Sequence, residues 1–148
     1  MRMSLSDWLK SGWLVAHRTN RREITDLLAV AERDLRECQV SGLSPDWRLA
    51  IAYNSALQSA TVALAAVGYR AARGSHHYRT IQSLAFTLDV SSDLIAELDD
   101  FRKKRNVSDY DRAGAVSKRD AQRMFDLATL LRKIVVDWIK KEHPDLMS

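Results

Sequence analysis

Residues 44–67 read SPDWRLAIAYNSALQSATVALAAV, and this stretch decides the fold class. Ser44 followed by Pro45 marks a helix start. The hydroxyl can accept from an unpaired N–H of the first turn, and proline at the first helical position gives up an N–H that has no partner there. Leu49, Ala52, Tyr53, Ala56, Leu57, Ala60, Leu64 and Val67 then recur at helical spacing on one broad stripe. Alanine is dense along it, and small side chains let a neighbouring helix approach closely. The spacing therefore predicts a central helix that ends by Gly74.

Further helices follow on either side. A short one is expected over 4–14. Another is expected over about 21–39, where Asn20 can cap and Glu23 can complete a capping box. Its apolar stripe is Ile24, Leu27, Leu28, Ala31, Leu35 and Cys38. A fourth segment runs from about Ser75 to Leu88, and a fifth starts after Ser91-Ser92. A sixth opens at Ser117, with Asp120 favouring its first turn, and stops before Pro144. Residues 107–116 are expected to link the last two. No alternation of β-branched and polar residues competes. The expectation is an all-α, up-and-down bundle of four to five long helices plus a short N-terminal helix. It forms one domain over 1–148 with its core over about 20–142.

Composition narrows the function classes. The chain has 148 residues, 46% hydrophobic and 28% charged, which suits a globular domain and not a disordered one. Five glycines and two prolines are too few for a many-stranded sandwich or barrel. The single Cys38 leaves no internal disulfide and no cysteine-based zinc site. No apolar run is read as a membrane span. The N-terminus MRMSLSDWLKSGWLVAHR is broken by Asp7 and Lys10 and is not read as a signal peptide, so a cytoplasmic protein with no membrane partner is expected. The net charge of +4 and pI near 9.4 permit nucleic-acid binding without demanding it.

The fifth segment carries the most chemical information. Leu94, Leu98, Phe101 and Arg105 fall on one stripe, so Arg105 continues an apolar face, and Arg102 flanks it. A guanidinium there must find a carboxylate, a phosphate or a carbonyl, because a desolvated, unpaired charge is very costly. One reading is structural, with Arg105 paired to Asp109, or Arg102 to Asp99 or Asp100. The other is a polar cluster of Arg102, Arg105, Asn106, Asp109 and Tyr110 at a groove or dimer cleft. In that cluster Arg102 and Arg105 grip phosphate, Asn106 and Asp109 orient the two arginines, and Tyr110 stacks or donates a hydrogen bond.

FRKKRNVSDYDRA (101–113), preceded by AIAYNSALQSATVALAAVGYRA (50–71) and SHHYRTIQSL (75–84), resembles a HEPN domain. Ala52-Tyr53, Gly68, His76-His77 and Arg105-Asn106 with Asp109-Tyr110 carry the resemblance, which spans about 22–140. It implies a bundle of four to five helices that dimerises around the arginine motif, and a connection to RNA. Many proteins of that family are metal-independent ribonucleases, often toxins encoded beside a minimal nucleotidyltransferase antitoxin. The family's catalytic motif places a histidine beyond four to six residues after the arginine. Here the windows from Arg105 end at Tyr110, Asp111 and Arg112, and those from Arg102 at Val107, Ser108 and Asp109. None is histidine. Metal-free cleavage of RNA needs one group to take the 2′-hydroxyl proton and another to protonate the leaving oxygen. Histidine suits both near neutral pH.

The expectation is therefore a HEPN-like, RNA-associated binding module without efficient catalysis. It would be a homodimer and a toxin–antitoxin-type component, with a nucleotidyltransferase-type partner protein and no cofactor or metal. The alternatives are a metal-independent endoribonuclease with a displaced acid and base, and a purely structural dimeric protein. His76-His77 reads as a helix start facing solvent or the preceding helix end, because adjacent helical residues point about 100° apart and form no metal pair. His17 and His143 read as surface residues, and Cys38 as core. Trp8, Trp13, Trp47 and Trp138 read as core or interface.

Overall fold

Ser44 starts α3 (Pro45–Ala66) as its sequence requires, its hydroxyl accepting from the Trp47 amide at 3.2 Å. The computed structural model describes residues 3–74, 76–110 and 116–147, and of 107–110 the backbone alone. Around α3 pack α2 (Arg21–Glu37), α6 (Ser92–Tyr110) and α7 (Lys118–Glu142). Their directions follow from cross-helix bonds. Arg48 Nε donates to the Cys38 carbonyl at 3.2 Å and Asn54 Nδ2 to Asp34 Oδ2 at 2.6 Å, so α2 and α3 are antiparallel. Arg123 pairs with Glu97 at 2.7 Å and Lys104 with Asp120 at 2.9 Å, so α6 and α7 are antiparallel too. The Val116 amide donates to Asp46, which sets the start of α7 beside the start of α3.

The alanines act as the sequence implies. Ala52, Ala56, Ala60 and Ala63 are fully buried, and Met124, Leu131 and Val135 of α7 share their core with Ile24 and Leu28 of α2. Because the α3 surface is low, the α2 backbone comes close enough for Ser55 Oγ to donate to the Ala31 carbonyl at 2.7 Å, fully buried. This helix is also long and apolar enough to cross a membrane by length and composition, contrary to the reading that no such run exists. Most of its apolar stretch, 67%, is buried inside the bundle, as suits a core helix.

The chain is mostly helical, as the all-α expectation has it, and one short ribbon is added to the helices. α1 spans only Leu5–Lys10, and the chain then forms a strand, β1 (Leu14–Ala16). It pairs antiparallel with β2 (Tyr69–Ala71), Leu14 opposite Ala71 and Ala16 opposite Tyr69. Accordingly α3 ends at Ala66, before Gly74. Gly68 at φ +98 makes the turn into β2, in the left-handed region that glycine enters without cost. Strands of three residues are too short to show a periodicity of two, and their pairing joins segments remote in sequence.

The fourth segment is likewise two helices, α4 (His76–Gln82) and α5 (Leu84–Thr87). Between them Ser83 Oγ donates to the Thr80 carbonyl at 2.6 Å, a local bond that competes with helix continuation. The capping box expected at Asn20 is half made. Asn20 Oδ1 accepts from the Glu23 amide at 2.8 Å, but the Glu23 carboxylate instead accepts from Thr19 and His17. The box at Ser117 and Asp120 is complete.

Trp8 and Leu14 form a second small core with Leu64, on which Trp13 and Phe86 pack. Trp8 meets Trp13 edge-on at 5.8 Å and Phe86 at 5.1 Å. In this way the N-terminal segment is seated on the bundle beside α4 and α5.

Candidate functional site

The polar residues of α6 and the first residues of α4 line one cleft of about 410 Å³. From α6 come Arg102 and Asn106; from the other wall come Gly74, His76, His77 and Tyr78. Ile95, Leu98 and Phe101 bury the inner face of α6, which holds the helix so that its next turns look across to α4. Tyr53 of α3 is fully buried beside His77 and Arg105. Its ring lies 5.9 Å from that of His77, and the Arg105 guanidinium stands 5.5 Å from its centroid.

Each expected residue can now be located. Arg102 is half-buried, and its Nε donates to Asp99 Oδ1 at 2.7 Å, so the structural pairing foreseen for it is made. Asp99 is only 8% exposed, and Lys103 Nζ reaches its other oxygen at 3.4 Å. The bond to Asp99 uses the inner nitrogen of the fork. Arg105 continues the buried stripe as foreseen, and its Nε has lost contact with solvent. Asn106 is exposed at the cleft rim. The side chains of Asp109 and Tyr110 lie outside the described residues, although the helix itself runs on to Tyr110 where a linker was expected from 107.

Sequence reasoning missed the α4 wall. His76 and His77 were read as a helix start turned to solvent or to the preceding helix, yet their rings stand 5.3 Å apart and both line the cleft with Arg102. The signal available was the order of Ala52-Tyr53 and His76-His77 along the chain.

The electrostatics favour neutral groups beside fixed cations. Burial is the largest influence on His77, and it lowers the pKa below the usual imidazole range, with His76, Arg105 and Arg102 adding to the effect. His77 is therefore an uncharged acceptor or donor at neutral pH. The Tyr53 phenol is fully buried and is pushed up to about 12, chiefly by desolvation, against the pull of Arg102 and Arg105. Its hydroxyl has no hydrogen-bond partner among the described residues. A buried hydroxyl left unpaired costs about 1–3 kcal/mol, so its retention in this cluster calls for an explanation. Arg102, Asn106 and a neutral His77 thus line one cleft, with Arg105 beside the buried Tyr53 ring that neighbours His77.

The remaining histidines, the cysteine and Trp47 have their own surroundings. His17 Nε2 donates to Glu23 at 2.7 Å, and the His143 ring packs edge-on against Trp138 at 4.8 Å, so neither is a plain surface residue. Cys38 is buried as expected, and burial raises its thiol pKa despite Arg48 nearby. Trp47, by contrast, is 64% exposed, because it sits on the outward side of the first turn of α3. Among the described residues no three histidines, cysteines or carboxylates gather to hold a metal ion.

Comparison with protein-family models, curated proteins and solved structures finds no match to this chain.

Proposed function

We propose that this chain is a HEPN-like, RNA-associated module that grips a phosphodiester in the cleft between α4 and α6. The observation that carries this reading is the cleft in which Arg102 and Asn106 of α6 face His76 and His77 of α4, with Arg105 beside the buried Tyr53 ring that neighbours His77. Arg102 and Arg105 contact the phosphate with their planar forks, and Asn106 orients the arginines from the rim. In this reading the protein works as a homodimer in the cytoplasm, in a toxin–antitoxin-type pair with a nucleotidyltransferase-type partner. The HEPN-like pattern in the sequence supports that setting.

A labelled RNA titrated at low salt tests the binding. Arg102→Ala/Arg105→Ala is expected to weaken it at least ten-fold and to flatten its salt dependence by about two phosphate contacts. RNA retention unchanged in the double variant removes this cleft as the site. No binding to wild type, together with a monomeric double variant, leaves the structural reading in its place.

A second reading, metal-independent ribonuclease, is favoured by His77. Sequence windows lacked the histidine, but the fold sets one beside both arginines, and its low pKa keeps it ready to accept the 2′-hydroxyl proton. The 2′-oxygen then attacks phosphorus, the 5′-oxygen leaves with a proton from a second donor, and a 2′,3′-cyclic phosphate results. Cleavage of RNA in EDTA that disappears in His77→Gln while binding persists establishes this reading. Intact RNA after prolonged incubation overturns it.

A further inference from the structure

Tyr78 faces the cleft from α4 and is the one phenol ring among its described lining residues, beside the imidazoles of His76 and His77. Its surroundings are not those of an ordinary half-buried tyrosine. On one side the Arg79 guanidinium stands 5.3 Å from its ring centroid, and that same guanidinium lies 3.5 Å over Trp13 and 5.5 Å from Trp8. Trp8 is in turn locked edge-on against Phe86 in the second core. The ring of Tyr78 thus adjoins the Arg79 guanidinium, which itself packs against Trp13 beside the second core. At the cleft stands Arg102, 5.5 Å from the same ring. The Arg79–Trp13 contact is closed at 3.5 Å, whereas the Arg102–Tyr78 spacing is wider.

A braced aromatic plate next to a phosphate-binding guanidinium is the arrangement by which proteins hold an unpaired nucleotide. The cation takes the backbone, the ring takes the base, and any base fits because each has a π-face. A duplex offers no such face, since its bases are stacked on one another. We infer that Tyr78 is a base-stacking platform that makes the cleft selective for single-stranded RNA over duplex and over phosphate alone. The inference rests on the reading that the cleft binds an RNA phosphodiester.

The test uses the full chain and fluorescence anisotropy with three probes: a labelled single-stranded ribo-oligonucleotide, its blunt duplex, and the same strand with abasic residues. The single strand is expected to bind wild type about ten-fold more tightly than the duplex or the abasic strand, within the range that stacking of one base contributes. Tyr78→Ala is expected to lose that advantage while leaving abasic binding unchanged, and Tyr78→Phe, which keeps the ring, to retain it. The abasic comparison on wild type stands even where Tyr78→Ala unfolds. If all three probes bind equally, and Arg102→Ala weakens all of them, Tyr78 is no platform and the phosphodiester reading survives. If no probe binds, both fall.

Discussion

Replacing Tyr53 by phenylalanine removes one oxygen and nothing else, and the structure sets the size of the effect. Tyr53 is 0% exposed, and its hydroxyl has no partner among the described residues, so folding strips that group of water and returns no bond. Such a loss amounts to about 1–3 kcal/mol. Phenylalanine keeps the ring that meets His77 at 5.9 Å and Arg105 at 5.5 Å, so the packing remains. The variant is expected to be more stable by about 1 kcal/mol at pH 7, which raises the melting temperature by about 2–4 °C for a domain of this size.

The alkaline limb supplies an independent reading of the same group. Its pKa rises from 10.0 in the unfolded chain to about 12 in the fold. A raised pKa means that the neutral form is favoured by folding. The corresponding stability is complete below pH 10 and is lost as pH rises toward 12, roughly 2–3 kcal/mol in all. Urea unfolding followed by circular dichroism at pH 7 and between pH 9 and 11.5 measures both effects. Wild type should weaken across the upper range more than Tyr53→Phe, since the remaining tyrosines ionise in both. A Tyr53→Phe protein less stable than wild type by more than about 1 kcal/mol at pH 7 would refute the reasoning, because the hydroxyl would then have a partner in solution. Lower RNA affinity in the stabilised variant would identify that hydroxyl as a donor kept for a ligand.

His77 should titrate below 6.5, the value usual for an imidazole, because burial disfavours its charged form. Its contribution to stability is present above pH 6.5 and fades as pH falls through the depressed pKa, so His77→Gln should flatten the acid limb. An NMR midpoint at or above 6.5 contradicts this. Gly68→Ala is expected to cost about 1–2 kcal/mol. The reason is torsional, since a Cβ would meet the His17 carbonyl oxygen at an ordinary 3.9 Å while φ stays at +98. Asparagine at the same position should cost less, and equal melting temperatures for all three proteins would show that the turn relaxes. Met124→Ala empties a fully buried site against α3 and should lose about 2–5 kcal/mol in chemical denaturation. A loss under 1 kcal/mol would mean that the core collapses around it.

The helices were readable where caps and stripes coincide. Ser44-Pro45 and Ser117 with Asp120 start α3 and α7 as their residue types require, and the α2 stripe from Ile24 to Ala31 is the buried face. These signals are local: a hydroxyl reaches an amide three residues on, and a stripe repeats within one helix. The ribbon of β1 and β2 escaped because nothing within three residues reports a partner more than fifty positions away. The break at Ser83 escaped because a hydroxyl that turns on its own backbone resembles any other serine in sequence.

The candidate site divides along the same line. That Arg105 would lie on a buried stripe was legible from Leu98 and Phe101, since all three belong to one helix. What faces it was not. Helical spacing says only that His76 and His77 point in different directions from their own axis. It says nothing of the second helix that packs across from them and turns both imidazoles, Tyr78 and the Arg102 guanidinium into the walls of one cavity. Periodicity within a segment assigns a residue to a face, whereas the identity of its neighbour depends on how two segments dock. That docking is decided by the alanine-flat α3, against which both α4 and α6 come to rest.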